Sequence, residues 1–319
     1  MSVTVALASW PADYGTPVVD DALSDPTVVV DTDVEVPSAA WAPRQPEAAP
    51  ASCVWFVDGV RRMEARAWLT TGDGTTTPGL VGSWAAGAVR CNASAVIERS
   101  DVRRGLFSAG AERVGLSDAA RGLHFSACQA QSDSDAGLSN ALQAAMRATE
   151  FDIARDVGAP GDLVFLDGPV RGRTTVRTVG YIKTQQVAYL PRALQPTVER
   201  LDVAQRTPVF LTRSNNWEHW SWYLRLSRDG AHPWEAVVRC ETPKEGVTLP
   251  AARRLADEAT ATLPRFASAP HRDVRAPQNL YPIGALERHL RHRLGDAAVI
   301  GRRLRRLVGV RSGDQDAGT

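Results

Sequence analysis

Two aspartates in this sequence each follow a short apolar run and each precede a glycine. Asp58 comes at the end of Cys-Val-Trp-Phe-Val (53–57), and Asp167 comes at the end of Leu-Val-Phe-Leu (163–166). Short apolar runs bounded by turn residues are typical of buried strands. If the two strands are neighbours, the carboxylates lie side by side, and a divalent cation is the usual reason to tolerate such like charges. The alternative is that each Asp-Gly pair is only a turn, which is its commoner role.

A third acidic residue precedes the second of these strands. Apolar residues recur at helical spacing from Asp135 until Pro160 and Gly161, which predicts a helix in this segment. Glu150 lies on that helix and is a candidate third metal ligand, with Asp152 as a competing candidate. The alternative is a solvated helical glutamate, which is the ordinary role of this residue type.

Composition and charge restrict the class of protein. The 319 residues are 44% hydrophobic and 23% charged with a net charge of +1, as expected for a soluble globular protein without a global basic field. The four cysteines form no Cys-x-x-Cys pair, which argues against a structural zinc site. No signal peptide and no apolar run of about 20 residues is present, so we expect a cytoplasmic protein that does not enter the membrane.

The chain divides into three parts by composition. Residues 1–52 form an N-terminal arm with one predicted strand (Thr27–Val36) and a proline-rich linker (Pro37–Pro50). The sequence does not decide whether this arm packs on the body or on a partner. Residues 53–310 form the main domain, which begins with a β-meander over 53–107, and residues 311–319 form a polar tail predicted to be disordered. The expected fold class is α/β, with a mixed sheet flanked by helices, an extended N-terminal arm and a basic C-terminal helix.

Several later features bear on binding. Lys183 ends a predicted strand and could face a phosphate group, although a solvated strand-terminal lysine is commoner. Trp220, Trp222 and Leu224 alternate with other residues, and such an aromatic stripe at a period of two is more often core than a base-stacking surface. The last predicted element, Leu280–Val308, begins at Tyr281-Pro282 and is rich in arginine. Its exposed face could bind a phosphate backbone or could simply be solvated.

Three large enzyme classes are excluded by missing motifs. The chain has no Gly-x-x-x-x-Gly-Lys-Ser/Thr loop, so we expect it to hydrolyse no ATP itself. It also has no Gly-x-Gly-x-x-Gly turn of a dinucleotide-binding enzyme. A Gly-x-Ser-x-Gly elbow of a serine hydrolase is missing as well.

The order of these features resembles the NurA nuclease family. The resemblance covers about residues 53–295 and depends on short motifs in a shared order, which are Phe-Val-Asp-Gly (56–59), an acidic helix with Glu150, Leu-Val-Phe-Leu-Asp-Gly-Pro (163–169), Tyr-Ile-Lys (181–183), Trp-Tyr-Leu-Arg-Leu (222–226), Val-Val-Arg-Cys-Glu (237–241) and Pro-Gln-Asn-Leu-Tyr-Pro-Ile-Gly-Ala-Leu-Glu-Arg-His (277–289). It implies an RNase H-like core and a metal-dependent DNA nuclease that forms a homodimer. It also implies a partnership with a HerA-type hexameric ATPase in DNA end processing or in defence against foreign DNA.

The resemblance also implies roles for individual residues. Asp58, Glu150 and Asp167 would hold one or two Mn²⁺ or Mg²⁺ ions, for which oxygen ligands are suited. His289 would be a further ligand or would move a proton, and Tyr281 would orient a phosphate or a water molecule. DNA would be steered by basic side chains, namely Lys183, Arg288 and Arg291. The rival hypothesis is a non-catalytic DNA-binding or assembly subunit that keeps the same fold.

Overall fold

The computed structural model describes residues 3–7, 28–170, 172, 177–183, 189–228 and 232–316. Within these residues the strands are β1 Thr4–Leu7, β2 Val29–Asp31, β3 Val54–Thr70, β4 Thr76–Cys91, β5 Ala95–Ser108, β6 Leu116–Asp118, β7 Leu123–Gln129, β8 Leu163–Asp167, β9 Arg177–Ile182, β10 Phe210–Arg213, β11 Glu218–Arg225 and β12 Val237–Pro243. The helices are α1 Asp135–Asp156, α2 Gln195–Glu199, α3 Leu249–Thr262, α4 Tyr281–Arg293 and α5 Ala297–Asp316.

The strands of the described residues join into one mixed sheet of twelve strands in the order β2-β10-β11-β12-β9-β8-β3-β4-β5-β7-β6, and β1 pairs with β3. The first long strands, β3, β4 and β5, form the predicted antiparallel meander. After α1 the chain returns as β8, which lies parallel to β3, and β9 lies parallel to β8. The prediction of a mixed α/β fold is confirmed, and so is the prediction that the strands of Asp58 and Asp167 are neighbours.

The strand that carries Asp58 is longer than the sequence indicated. The prediction that it ends at Asp58 is wrong, because Gly59 and Val60 continue the ladder opposite Ala86 and Ala85, and β3 runs 17 residues to Thr70. The first Asp-Gly pair is therefore not a turn. The second pair does end its strand, since Gly168 has a φ of 114° that a residue with a side chain rarely adopts.

Helices cover both faces of the central strands. On one face Val57 and Val164 pack against Ile153 of α1. On the other face Phe56 and Phe165 pack in one core with residues of α3 and α4. Successive side chains of a strand point to opposite faces. Asp58 and Asp167 therefore share the face of Phe56 and Phe165, towards α4.

The described parts of the N-terminal arm pack on the body, which the sequence left open. β1 pairs with β3, and β2 extends the sheet at β10. Of the described residues of the predicted strand Thr27–Val36, those in a strand are Val29–Asp31. Residues 8–27 lie outside the described residues. The Glu35 side chain is fully buried and pairs with Arg206, while Trp41 packs against Phe210. The described parts of the arm thus belong to the folded unit.

The C-terminal segment differs from the single element that was predicted. The chain leaves the helical conformation at Gly295, so that α4 and α5 are separate helices. The backbone of α5 continues to Asp316, into the segment predicted to be disordered, and residues 317–319 lie outside the described residues. The tryptophan stripe of β11 is buried in the core, as its alternation indicated. Among the described residues, no helix has both the length and the apolar character needed to cross a membrane.

Candidate metal centre

Asp58 and Asp167 meet because their strands are parallel neighbours in register. Val57 pairs with Leu166, so each aspartate follows directly at the same level of the sheet. Both side chains point to the face that α4 covers. Asp58 is 6% exposed, and the Asp167 side chain is 16% exposed. Two carboxylates are therefore held together in a largely water-free environment, which is unfavourable for both of them without a cation.

A third carboxylate, from Glu287, reaches the same place from α4. Oxygen atoms of Asp58, Asp167 and Glu287 all lie within 4.8 Å of one another. Sequence reasoning missed Glu287, because α4 was interpreted only as a basic helix. A signal was present, since Glu287 lies between Ile283 and Leu290 at helical spacing, and all three are buried. A charged residue on the apolar face of a helix indicates either a buried ion-pair partner or a functional site.

Glu150 approaches the same strand from the opposite face. It is a buried residue of α1, and its carboxylate lies against the backbone of Gly59. Among the described residues, the set of ligand atoms within 4.8 Å of one another consists of the other three acids and does not include Glu150. The competing candidate, Asp152, is exposed and pairs with Arg155 at 3.9 Å. Of the two helical acids, only Glu150 is therefore buried beside the centre.

Three carboxyl groups in or beside this centre, those of Asp58, Asp167 and Glu150, hold their protons more tightly than usual. Burial, and after it the charges of Asp167 and Glu150, raises the pKa of Asp58 well above its ordinary value. Burial, and after it the charge of Asp167, raises the pKa of Glu150 to about 8. Burial also raises the pKa of Asp167, although the neighbouring Lys183 ammonium opposes this effect. Burial, together with the repulsion between the carboxylates, thus disfavours the ionised form of these three groups.

Asp58 provides the best test of whether a metal ion suits the centre. Its Oδ1 accepts a hydrogen bond of 2.7 Å from the Gly59 amide. Its Oδ2 is buried and has no hydrogen-bond partner among the described residues. A buried unpaired carboxylate oxygen is costly unless a cation or a proton binds it. Together with the hard oxygen donors of Asp167 and Glu287, this atom fits a divalent cation such as Mg²⁺ or Mn²⁺.

Lys183 lies inside the centre rather than on an outer surface. Its Nζ donates to Asp167 Oδ2 at 2.6 Å and to Asn279 Oδ1 at 2.7 Å. Asn279 is fully buried, and its Nδ2 donates to Asp273 Oδ2 at 2.6 Å. That bond orients the amide so that its oxygen faces Lys183.

Glu287 is held by an arginine from the loop before α4. Arg275 donates from Nη1 to Oε1 at 2.9 Å and from Nη2 to Oε2 at 2.6 Å. Burial alone would raise the pKa of Glu287, but the Arg275 hydrogen bonds and charge outweigh it and lower that pKa. Glu287 is thus the carboxylate of the centre that is most readily ionised.

The remaining predicted site residues lie around α4. Tyr281 is 40% exposed, its hydroxyl accepts from the Ala269 amide at 3.2 Å, and the Arg272 guanidinium lies 5.6 Å from its ring. His289 Nε2 lies 3.4 Å from Ser100 Oγ on β5, two strands away from Asp58. Both predicted DNA-binding arginines of this helix are exposed, namely Arg288 and Arg291.

Comparison of this structure with solved structures finds similarity to a crystal structure of the NurA nuclease from Sulfolobus solfataricus. The TM-score is 0.48 and the sequence identity is 12%, over 84% of this chain and 89% of that chain. No protein-family model matches the sequence. No curated protein sequence matches it either.

Proposed function

We propose that this chain is a metal-dependent deoxyribonuclease. The observation that carries the proposal is the convergence of Asp58, Asp167 and Glu287 in a buried site, where Asp58 Oδ2 has no other partner among the described residues. Carboxylate groups that share a buried site are the usual ligands of the hard cations used in phosphodiester hydrolysis. The motif resemblance to NurA nucleases supports the same class of reaction and names DNA as the substrate.

The proposal includes an RNase H-like core. Its support is the central strand order β5-β4-β3-β8-β9, with three antiparallel strands, the α1 crossover and two parallel strands. The first of these strands is buried and is followed by a hairpin strand and a third strand, as expected for such a domain. Asp58 in the first third of β3 and Asp167 at the end of β8 are then the natural pair for binding metal.

The residues would have distinct roles. Asp58, Asp167 and Glu287 would hold a Mg²⁺ or Mn²⁺ ion, and Glu150 would approach it from the α1 side. When bound, such a cation would supply water activation and charge stabilisation at the phosphate. Lys183 would neutralise a phosphate oxygen, while Arg288 and Arg291 would attract the DNA backbone without reading its sequence. Tyr281 would orient the phosphate, and His289 would hold or move a proton.

The resemblance also suggests how the nuclease is used. We infer that it acts in the cytoplasm as a homodimer with a HerA-type hexameric ATPase, either in DNA end processing or in defence against foreign DNA. The chain has no nucleotide-binding loop of its own, so a motor would have to be a separate partner. The rival assignment, a non-catalytic DNA-binding subunit, gives no reason for the buried and unpaired Asp58 oxygen.

The experiment is degradation of linear single-stranded and double-stranded DNA by purified protein with Mn²⁺, with Mg²⁺ and with EDTA. Asp58→Asn, Asp167→Asn and Glu287→Gln would be compared with Asp156→Asn, which changes an exposed α1 carboxylate paired with Arg99. We expect metal-dependent cleavage that is retained by the control and lost in the other variants. A wild-type protein that cuts nothing, alone or with a co-encoded hexameric ATPase, would favour the binding-subunit assignment. Cleavage that survives all three site substitutions would refute the proposed centre.

A further inference from the structure

We infer that Lys183 and Arg275 are exchangeable internal cations: they hold Asp167 and Glu287 until a divalent cation binds, and they then bind phosphate groups of the substrate. This inference depends on the proposed function, since it deepens the role of the same site. It assigns Arg275 to substrate binding, a role that the sequence did not indicate.

The contacts show that each cation uses a carboxylate that the metal ion also needs. Lys183 Nζ lies 2.6 Å from Asp167 Oδ2. Arg275 engages both oxygens of Glu287 through its two terminal nitrogens, at 2.9 and 2.6 Å. Asp58 Oδ2 is buried and has no hydrogen-bond partner among the described residues. A cation that binds Asp167 through Oδ2, or Glu287 through either oxygen, therefore competes with these two side chains for the same atoms.

Asp273 connects the two cations through a single loop. Its Oδ2 accepts from Asn279 Nδ2 at 2.6 Å, which turns the Asn279 oxygen towards Lys183. Its Oδ1 accepts from the Arg275 amide at 2.9 Å and from Arg275 Nε at 3.4 Å. The loop before α4 therefore holds both side chains against the acids, and release of one is linked to the contacts of the other.

The charge balance explains why the exchange would occur. Without metal, the ammonium and the guanidinium offset two of the three carboxylates. A divalent cation at the same oxygens supplies that positive charge itself and repels both side chains. Both are long and flexible, and the Arg275 side chain is already 50% exposed while that of Lys183 is 18% exposed. A phosphodiester placed against the metal ion would offer them new anionic partners, and an arginine can bind phosphate in the same two-pronged way as it binds Glu287.

The consequence is that metal and nucleic acid bind with positive coupling. Metal binding frees two phosphate ligands, and phosphate binding removes two competitors for the metal ligands. By linkage, each ligand must increase the affinity for the other by the same factor.

The test measures Mn²⁺ affinity by calorimetry, with and without a short phosphorothioate oligonucleotide that resists cleavage. The variants are Lys183→Met and Arg275→Met. The matched control is Arg272→Met, which removes an equal charge from the same loop, where Arg272 contacts His271 and the Tyr281 ring.

For the wild type we expect the oligonucleotide to increase Mn²⁺ affinity about fivefold or more. Without oligonucleotide, the two site variants should bind Mn²⁺ tighter than the wild type by a similar factor, and they should lose the response to the oligonucleotide. The control should behave as the wild type.

Three results would overturn the inference. The first is a Lys183→Met protein that binds Mn²⁺ no tighter than the wild type. The second is a wild-type Mn²⁺ affinity that the oligonucleotide leaves unchanged. The third is an Arg272→Met protein that behaves as the two site variants do. If Arg275→Met fails to fold, Lys183→Met decides alone, because its side chain is not needed to hold Glu287. A wild type that binds Mn²⁺ and cuts DNA while Lys183→Met shows unchanged affinity refutes only the exchange. A wild type that binds no Mn²⁺ refutes the proposed function as well.

Discussion

The carboxylate of Glu150 occupies the space that a side chain at Gly59 would need. A Cβ atom at position 59 would overlap Glu150 Oε1 and would lie 2.9 Å from Met146 Cγ. Gly59 lies in the middle of β3, where a glycine weakens a strand unless a close approach requires it. Here the close approach is that of the buried acid of α1, which thereby reaches the backbone next to Asp58.

Replacing Gly59 with alanine should push Glu150 and Met146 away from β3. We expect a loss of stability of about 1–3 kcal/mol, as for overpacking in a core, together with reduced DNA cleavage. Urea denaturation and the linear-DNA assay would measure both. The control is Gly301→Ala in α5, where the added methyl would lie 3.9 Å from Arg305 Nη1, an ordinary van der Waals contact. That substitution should be neutral or stabilise by up to about 1 kcal/mol, so a Gly59→Ala protein as stable as this control would contradict the close contact.

The raised pKa of Glu150 predicts a pH dependence of stability in metal-free protein. The pKa rises from 4.5 to about 8, so the folded state binds this proton more tightly than the unfolded state. The resulting stabilisation is fully present below pH 4.5 and is lost as the pH rises towards 8. With EDTA present, Tm should fall by several degrees between about pH 5 and pH 8, which corresponds to a loss on the order of a few kcal/mol. Glu150→Gln, which cannot ionise, should show a shallower slope, and an equal slope in both proteins would refute the assignment.

Divalent metal should reverse that loss. At pH 8 the raised carboxyl groups have lost more of their protons than at pH 5, so a cation meets less competition from protons there. At a Mn²⁺ concentration of about 100 times Kd, the folded state gains about 2.7 kcal/mol. We therefore expect Mn²⁺ to raise Tm more at pH 8 than at pH 5, as measured by differential scanning calorimetry. Asp58→Asn should abolish the effect and Asp156→Asn should not, whereas a metal effect of equal size at both pH values would indicate binding elsewhere.

The two Asp-Gly pairs show what the sequence could and could not predict. Local apolar runs identified both strands, and the two strands are indeed parallel neighbours. The same dipeptide nevertheless has two structures, because Gly168 adopts a positive φ at the end of β8 whereas Gly59 continues β3. Gly59 continues its strand because β4 pairs with β3 on both sides of it. This pairing is a tertiary property that cannot be deduced from the local sequence.

The third acid of the cluster shows the other limit. Glu287 is 120 residues from Asp167 in the sequence, and its place depends on how α4 packs on β3 and β4. The arginines of α4 predicted a DNA-binding role for its exposed face, whereas Glu287 lies on the opposite, buried face. The apolar spacing of Ile283 and Leu290 was the signal that could have indicated a buried stripe at Glu287. It did not predict the partners of that acid, since Arg275 and Asp167 come from a loop and a distant strand.

Glu35 should be among the most important residues for the stability of the fold. Its side chain is fully buried and accepts from both terminal nitrogens of Arg206, which is itself 1% exposed. It also accepts from the Val209 amide, and it pairs with Arg44 and Arg253 at the protein surface.

Glu35→Ala would leave Arg206 buried with Asp257 as its remaining carboxylate among the described residues. Because removing one carboxylate partner from a buried guanidinium is costly, we expect a loss of about 3–5 kcal/mol in urea denaturation followed by tryptophan fluorescence. Arg44→Ala is the matched control, since that side chain is 31% exposed and its ion pair should contribute no more than about 1 kcal/mol. If the two variants are equally stable, the N-terminal arm is not fixed through Glu35, and its attachment would have to depend on β2 and Trp41 instead.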